Sequence, residues 1–312
     1  MQSPPLIETR ELTRKFKDNI AVNKLDLQIR PGETFGLVGP DGAGKTTAIR
    51  LLTGLIKITS GSAQIAGYDL DKDPEPIKPM YGYMAQQFSL YGDLSVAENL
   101  SLFADLFNVP QKEKAERMEK LLQFANLTEF TSRRAAHLSG GMKKKLALAC
   151  TLIHRPRILF LDEPTTGVDP VSRREFWDLL TELQIEGTTI IVSTPYMDEA
   201  ERCQRVGLMY QGKMIVCDTP KAIINSIKGE LIEFHTTDNR RAVQFLENLP
   251  GVLELQTYGK LLRLFVDNVD ARIPEITRTL KNQMIQIEGI RRTRPHMEEA
   301  FISMINALEE QK

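Results

Sequence analysis

A glycine-rich loop at residues 39–47 constrains the fold of this chain more than any other segment, and its sequence is Gly-Pro-Asp-Gly-Ala-Gly-Lys-Thr-Thr. An apolar run at residues 34–38 leads directly into it, and residues 46–55 are predicted to form a helix. The spacing Gly-x₄-Gly-Lys-Thr between a strand and a helix is that of a loop whose backbone N–H groups turn toward phosphate oxygens. The segment therefore predicts an α/β domain that binds a nucleoside triphosphate.

The side chains of this loop have separate predicted roles. Lys45 is expected to reach the β- and γ-phosphates, and Thr46 is expected to hold Mg²⁺ through its hydroxyl. The helix that follows adds the positive end of its dipole. An incidental glycine-rich turn would not carry the complete motif. The predicted nucleotide-binding residues of the loop are Gly39, Pro40, Asp41, Gly42, Ala43, Gly44, Lys45, Thr46 and Thr47.

Two adjacent acids, Asp162 and Glu163, follow a second apolar run at residues 159–161. An acid at the end of such a strand is suited to anchor Mg²⁺ through water, and its neighbour is suited to polarise the attacking water. Asp162 is therefore predicted as a metal-binding residue and Glu163 as the catalytic base. The alternative, that both carboxylates only cap the next loop, stays open on sequence alone.

A third motif, Leu138-Ser139-Gly140-Gly141, lies between the glycine-rich loop and the acidic strand end. In this order the three motifs resemble those of the ABC transporter nucleotide-binding domain, and the resemblance extends over residues 6–225. It implies a P-loop NTPase fold with ATP and Mg²⁺ as cofactors, in a head-to-tail dimer that encloses two ATP molecules. Ser139, Gly140 and Gly141 would then contact the ATP bound by the other protomer.

The same resemblance assigns three further site residues. Gln86 matches the Q-loop glutamine, which implies a contact with Mg²⁺ and the γ-phosphate and a position facing a membrane subunit. Phe16 matches the aromatic residue that stacks on adenine, although a core position for this ring also remains open. Asp169 matches the acid of the D-loop.

Pro195 departs from the family pattern, which usually has a histidine at this position. In the family that histidine contacts the γ-phosphate and helps to hold the base and the water. Proline offers neither a side-chain donor nor a backbone N–H, so the contact is lost. Losing one preorganised donor costs about 10²–10³-fold in rate. Because Glu163 is retained, slowed rather than abolished hydrolysis is expected.

The order of predicted strands and helices defines two domains. Residues 1–225 are expected to form an ABC ATPase core, with a mostly parallel sheet, an antiparallel β segment and a helical insertion at about 88–137. Residues 226–312 follow the order β-α-β-β-α-β, which predicts a small ferredoxin-like α+β domain. A pattern this common supports a fold and says nothing about function.

Residues 88–100 and the extra carboxyl-terminal domain narrow the resemblance to the ABC-2 exporter group, and residues 295–301 resemble a segment near the end of those chains. Membership would imply an ABC-2-type transmembrane permease as partner and a second ATPase subunit, identical or different. Two alternatives remain. Pro195 is compatible with a weakly hydrolysing subunit paired with an active ATPase. A soluble ABC ATPase acting on DNA or ribosomes is disfavoured, because no sustained heptads separate the motifs.

Charge and hydropathy indicate which other partners and which cellular location to expect. The chain has 40 Lys and Arg against 41 Asp and Glu, a net charge of −1, so charge predicts no nucleic-acid partner. No apolar run approaches the roughly 18 residues that span a bilayer. Glu8, Arg10 and Glu11 lie where a signal peptide would be apolar. The expected location is the cytoplasm, peripheral to the inner membrane through a partner.

Overall fold

The structure, a computed structural model, describes residues 4–87 and 90–309. The chain divides into two compact units, Met1–Thr219 and Pro220–Lys312. The boundary predicted near residue 225 therefore falls instead before the helix Pro220–Asn225. That helix packs against the last helix of the chain, Met297–Glu309, and so belongs to the second unit.

The first unit contains ten strands and six α-helices within the described residues. The strands are β1 (Ile7–Phe16), β2 (Asn19–Ile29), β3 (Thr34–Val38), β4 (Ser60–Ile65), β5 (Tyr68–Asp69), β6 (Tyr81–Met84), β7 (Ile158–Asp162), β8 (Thr189–Thr194), β9 (Arg205–Tyr210) and β10 (Lys213–Asp218). The helices are α1 (Lys45–Leu52), α2 (Val96–Leu106), α3 (Gln111–Phe124), α4 (Gly140–Leu152), α5 (Pro170–Ile185) and α6 (Met197–Ala200).

A six-stranded sheet in the order β10-β9-β3-β8-β7-β6 places the glycine-rich loop and the acids side by side. All its neighbouring pairs are parallel except β9 with β10, as the sequence predicted for most of the sheet. Every residue of β3, β7 and β8 is buried, as expected for strands covered on both faces. The carboxyl ends of these three strands meet at one edge, where ligands bind in open α/β sheets.

The predicted antiparallel segment is a second sheet of the first unit, in the order β2-β1-β4-β5. Its buried side chains, among them Leu12, Leu25 and Ile65, share one apolar core with Ile49 of α1 and Phe35 of β3. This core fixes the antiparallel sheet against the helix that follows the glycine-rich loop. Phe16, at the end of β1, is thereby held near the loop.

The helical insertion comprises α2 and α3 and three-residue 3₁₀ turns, and it lies within the predicted range of residues 88–137. Phe88 and Ser89, the first two residues of that range, lie outside the described residues. A capping box of Ser95 and Glu98 begins α2. Leu100 of α2 and Leu146 of α4 belong to one buried cluster. Helix α4, which begins with the signature residues, therefore packs with the insertion.

No helix in the described ranges has the length and apolarity required to cross a bilayer.

The second unit has the predicted β-α-β-β-α-β order, followed by one helix. Its elements are α7 (Pro220–Asn225), β11 (Glu230–Thr236), α8 (Asn239–Leu246), β12 (Val252–Tyr258), β13 (Leu261–Val266), α9 (Val269–Asn282), β14 (Ile287–Thr293) and α10 (Met297–Glu309). The antiparallel sheet runs β12-β13-β11-β14, the ferredoxin-like arrangement. Helices α8 and α9 cover one face. Helix α10 brings buried Glu299 to Arg263, which also pairs with Glu233.

Candidate functional site

The glycine-rich loop joins β3 to α1, and close contacts with neighbouring backbone require its glycines. A Cβ atom at Gly39 would lie 2.2 Å from the carbonyl oxygen of Met209. A Cβ atom at Gly44 would lie 2.3 Å from the carbonyl oxygen of Ala21, and Gly44 has a φ of 104°. Both positions therefore exclude any side chain. Gly44 also caps α1, so the positive end of that helix faces the loop.

Lys45 is the first residue of α1, and it is only 3% exposed because its side chain packs against the glycine-rich loop. Its Nζ donates to the carbonyl oxygens of Gly39 at 2.8 Å and Pro40 at 3.0 Å. The same ammonium lies 3.4 Å from Oε1 of Glu163. The loop and the acidic strand end are therefore joined by one buried cation.

Asp162, at the end of β7, is fully buried, and its two carboxylate oxygens have different surroundings. Oδ1 accepts from the Thr46 hydroxyl at 2.9 Å and from the Ser193 hydroxyl at 2.6 Å. Oδ2 is buried without a hydrogen-bond partner in the described part of the chain. A buried carboxylate oxygen normally has a partner. An unpaired one beside a threonine hydroxyl fits Mg²⁺, which prefers oxygen ligands and retains bound water.

Glu163 follows directly and turns its carboxylate into the site. Its φ of 48° lies in the left-handed region, where a residue other than glycine is strained. Its Oε2 accepts from Gln86 Nε2 at 2.8 Å and from the Thr166 hydroxyl at 3.3 Å. Its backbone N–H donates to the Ser193 hydroxyl at 3.0 Å. The predicted base is thus oriented from several directions.

These groups surround a cavity of about 830 Å³. That volume lies within the usual range for ligand sites, about 300–1,000 Å³. The predicted site residues that line the cavity are Phe16, Asp41, Gly42, Ala43, Gly44, Lys45, Thr46, Thr47, Gln86, Glu163 and Pro195. Gly39, Pro40 and Asp162 contact the lining residues Lys45 and Thr46. Phe16 is 42% exposed, and the Arg14 guanidinium lies 4.4 Å from the centroid of its ring. Phe16 is therefore not a core residue.

The signature and D-loop residues lie together but are not part of this lining among the described residues. Ser139 caps α4 and accepts from the Met142 N–H at 3.2 Å. A Cβ atom at Gly141 would lie 2.4 Å from Oγ of Ser172 in the first turn of α5. Asp169 caps α5 by accepting from the N–H groups of Val171 and Ser172. The two helix starts therefore pack tightly, and Gly141 makes that approach possible.

The segment after β8 is anchored by a buried acid that sequence reasoning missed. Glu199 is 1% exposed and accepts from the Thr194 and Thr165 hydroxyls, each at 2.6 Å. Pro195 and Tyr196 line the cavity, and the Arg173 guanidinium lies 4.3 Å from the Tyr196 ring centroid. Nothing in the sequence pattern marks Glu199 as buried, because Asp198 and Glu201 flank it as equally polar neighbours.

Two further polar residues of the site were absent from the sequence prediction. Ser193, in β8, contacts both acids. Lys144, in α4, donates to the carbonyl oxygen of Gln86 at 3.0 Å. Burial lowers the pKa of Lys144 from its ordinary value, and the nearby charges of Glu163 and Asp162 oppose that shift. Lys144 thus links the signature helix to Gln86, the residue that contacts Glu163.

Comparisons with known proteins identify the family of the chain. The ABC transporter family model matches residues 22–166. Over 304 residues the chain is 44% identical to YbhF of Escherichia coli, a probable multidrug ABC transporter ATP-binding protein; the alignment covers 96% of this chain and 52% of YbhF. The chain thus spans about half the length of that relative. Over 304 residues it is also 31% identical to the daunorubicin resistance ATP-binding protein DrrA2 of Streptomyces coeruleorubidus, covering 96% of this chain and 94% of DrrA2.

A solved structure supports the same assignment. The ATP-binding cassette MJ0796, solved as a dimer bound to ADP and Pi in a post-hydrolysis state, has a TM-score of 0.62 and 25% sequence identity. The match covers 68% of this chain and 98% of MJ0796. Together with the relatives above, it leaves no ambiguity about the class of domain. The chain belongs to the ABC transporter ATP-binding protein family.

Proposed function

We propose that this chain binds and hydrolyses ATP and thereby powers an ABC-2-type exporter whose membrane-spanning part is a separate permease. One observation carries the proposal: the ammonium of Lys45, the Thr46–Asp162 pair and the carboxylate of Glu163 converge on a single cavity. These are the groups that phosphoryl transfer requires for phosphate binding, metal binding and activation of water.

The residues divide the hydrolysis of ATP among them. The loop N–H groups and Lys45 bind the phosphates, and the exposed face of Phe16 receives the adenine. Thr46 and, through water, Asp162 would hold Mg²⁺, which would supply positive charge to neutralise the phosphates. Glu163 accepts a proton from the water whose oxygen attacks the γ-phosphorus, and Gln86 orients that carboxylate. The bond from the γ-phosphorus to the bridging oxygen breaks, and ADP and phosphate leave.

A dimer would complete the site. Ser139, Gly140 and Gly141 lie at the amino end of α4, where backbone N–H groups favour an anion. In the described residues they do not line the cavity of their own chain, so they are available to the γ-phosphate bound by a second ATPase subunit. The MJ0796 cassette is dimeric. Asp169 would lie at the same interface.

A groove beside the Q-loop supports contact with a permease. It has a volume of about 360 Å³ and is lined by Gln86, Gln87, Leu90, Gly92, Ala135, Ala136, Gly140, Lys143, Lys144 and Ala147. A partner seated there would touch Gln86, whose side chain contacts the base, and Lys144 of the signature helix. The chain would then sit on the cytoplasmic face of the inner membrane. YbhF and DrrA2 bear names that point to drug export.

The test is to purify the chain with its native subunits in lipid nanodiscs and to measure phosphate release from MgATP. We expect turnover that requires both ATP and Mg²⁺. Nucleotide binding without turnover would favour the second candidate, a weakly hydrolysing subunit paired with an active ATPase, which the presence of Pro195 motivates. Mass spectrometry of the same preparation distinguishes one kind of ATPase chain from two.

Pro195→His is expected to accelerate turnover if the complex contains only this ATPase chain. The imidazole would supply the missing donor to the γ-phosphate, and one such donor contributes about 10²–10³-fold to rate. Pro195→Ala is the matched control, because it restores the backbone N–H without the imidazole. Unchanged turnover of Pro195→His in a complex of identical ATPase chains would show that Glu163 suffices without this donor. Two kinds of ATPase chain, one with a histidine, would indicate a heterodimer.

A further inference from the structure

We infer that Ser193 is a positioning residue that orients both the metal-binding acid and the catalytic base, an inference that rests on the proposed function. Strands β7 and β8 are parallel neighbours, and their register places Ser193 opposite Asp162. The Ser193 side chain is fully buried, and its hydroxyl makes one hydrogen bond to each acidic residue. One hydroxyl can do this because it is both a donor and an acceptor.

As a donor, the Ser193 hydroxyl determines which oxygen of Asp162 remains available. Its 2.6 Å bond and the 2.9 Å bond from Thr46 both go to Oδ1. The carboxylate is thereby held in one rotation about its terminal torsion, which is otherwise broad for aspartate. Oδ2 is left buried and unpaired among the described residues, so it is the oxygen that remains free to accept from a metal-bound water. Residues behind a metal ligand commonly orient it in this way.

As an acceptor, Ser193 stabilises the strained turn that points Glu163 into the cavity. The Glu163 N–H donates to the Ser193 hydroxyl at 3.0 Å and to the Ser193 carbonyl oxygen at 3.1 Å. These bonds hold the residue at its positive φ of 48°. Pro195, the residue that follows β8, offers no donor to the site. The contribution of β8 to the geometry of Glu163 comes from Ser193, two residues before Pro195.

A purely structural role is the competing explanation, and the same strand provides a control for it. Thr189, at the other end of β8, is 1% exposed, and its hydroxyl accepts from the Gly32 N–H at 2.8 Å. It contacts neither acid. Thr189→Val removes a buried hydroxyl of one strand without disturbing the site, whereas Ser193→Ala removes the one that contacts Asp162 and Glu163.

The experiment compares Ser193→Ala, Ser193→Thr, Ser193→Cys and Thr189→Val in the complex with its native subunits. Two readouts are measured: Mn²⁺ affinity, by electron paramagnetic resonance with a non-hydrolysable ATP analogue, and the kcat and KM for MgATP. For Ser193→Ala we expect a loss of about 10–100-fold in Mn²⁺ affinity and kcat, with nucleotide affinity unchanged. Ser193→Thr should retain most of the parental Mn²⁺ affinity and kcat. Ser193→Cys should have values between those of Ser193→Ala and Ser193→Thr, because a thiol is a weak donor. Thr189→Val should match the parent.

Three results would overturn the inference. The first is parental Mn²⁺ affinity and kcat in Ser193→Ala. The second is a folded Ser193→Thr variant, with parental Tm, that is as deficient as Ser193→Ala. The third is a Ser193→Ala variant in which nucleotide affinity and Tm fall together with Mn²⁺ affinity and kcat, which would indicate a structural role alone. A parental complex that binds nucleotide and Mn²⁺ but releases no phosphate would contradict the proposed hydrolysis. The Mn²⁺ comparison would still decide the role of Ser193.

Discussion

Replacing Lys45 with alanine is expected to reduce ATP turnover by at least about 10²–10³-fold, the loss typical of one preorganised transition-state donor. Lys45 links the glycine-rich loop to Glu163, the proposed base, since it bonds the carbonyl oxygens of Gly39 and Pro40 and lies 3.4 Å from Glu163. Its removal takes away the charge that faces the phosphates, so both ATP affinity and kcat should fall. Phosphate release and calorimetric titration with ATP measure the two effects.

The control for this variant is Lys57→Ala, which removes the same side chain from an exposed position. Because Lys45 is buried beside Glu163, the variant could also lose stability, and a thermal melt of each protein separates that effect from lost chemistry. Parental turnover in a folded Lys45→Ala protein would mean that the phosphates bind elsewhere. The assignment of the loop would then be wrong.

Local motifs made much of the fold predictable from the sequence, together with which residues meet at the candidate site. The glycine-rich loop needs only one strand, one turn and one helix that are contiguous in the chain, so its geometry follows from its own residues. The acids at 162 and 163 end a buried strand, and the order of the elements predicted the parallel sheet and the ferredoxin-like arrangement of the second unit. The residues that determine the two motifs lie close together in sequence, and the two sheet arrangements follow from the order of the elements along the chain.

Contacts between distant segments could not be predicted in this way. Ser193 meets Asp162 only because β7 and β8 pair in one register, and Lys144 reaches Gln86 only because α4 packs beside the Q-loop. Strands β9 and β10 were absent from the prediction, and β10 is a half-buried edge strand with a weak apolar pattern. The domain boundary was predicted near residue 225, after α7, because the helix that α7 contacts, α10, begins more than 70 residues further along the chain.

The hydrogen bonds of the site form a continuous connection from the signature helix to the glycine-rich loop. Lys144 bonds the backbone of Gln86, the Gln86 side chain bonds Glu163, and Glu163 pairs with Lys45. A partner that displaces the Q-loop would therefore alter the orientation of Glu163, the proposed base. Conversely, a phosphate that draws Lys45 away from Glu163 would alter the contact with Gln86. This connection gives the proposed coupling between nucleotide and permease a physical route.

Glu163→Gln is expected to bind ATP and to lose hydrolysis by about 10²–10⁴-fold, the usual contribution of a general base. The amide has the shape of the carboxylate, and its oxygen can still accept from Gln86 and Thr166, which are 2.8 and 3.3 Å from Oε2. It cannot accept a proton from the attacking water at neutral pH. Removing this charge also frees Lys45 for the γ-phosphate, so ATP affinity should be retained or increased.

With hydrolysis blocked and the phosphate contacts intact, the closed dimer should accumulate. Size-exclusion chromatography with light scattering, run with and without MgATP, is expected to show a dimer of Glu163→Gln only with nucleotide. Glu182→Gln, which neutralises an exposed acid on α5, is the control and should hydrolyse ATP like the parent. Parental turnover in Glu163→Gln would assign the base to another residue. A monomer that binds ATP without hydrolysing it would keep Glu163 as the base, and would instead refute a dimer closed by Ser139, Gly140 and Gly141.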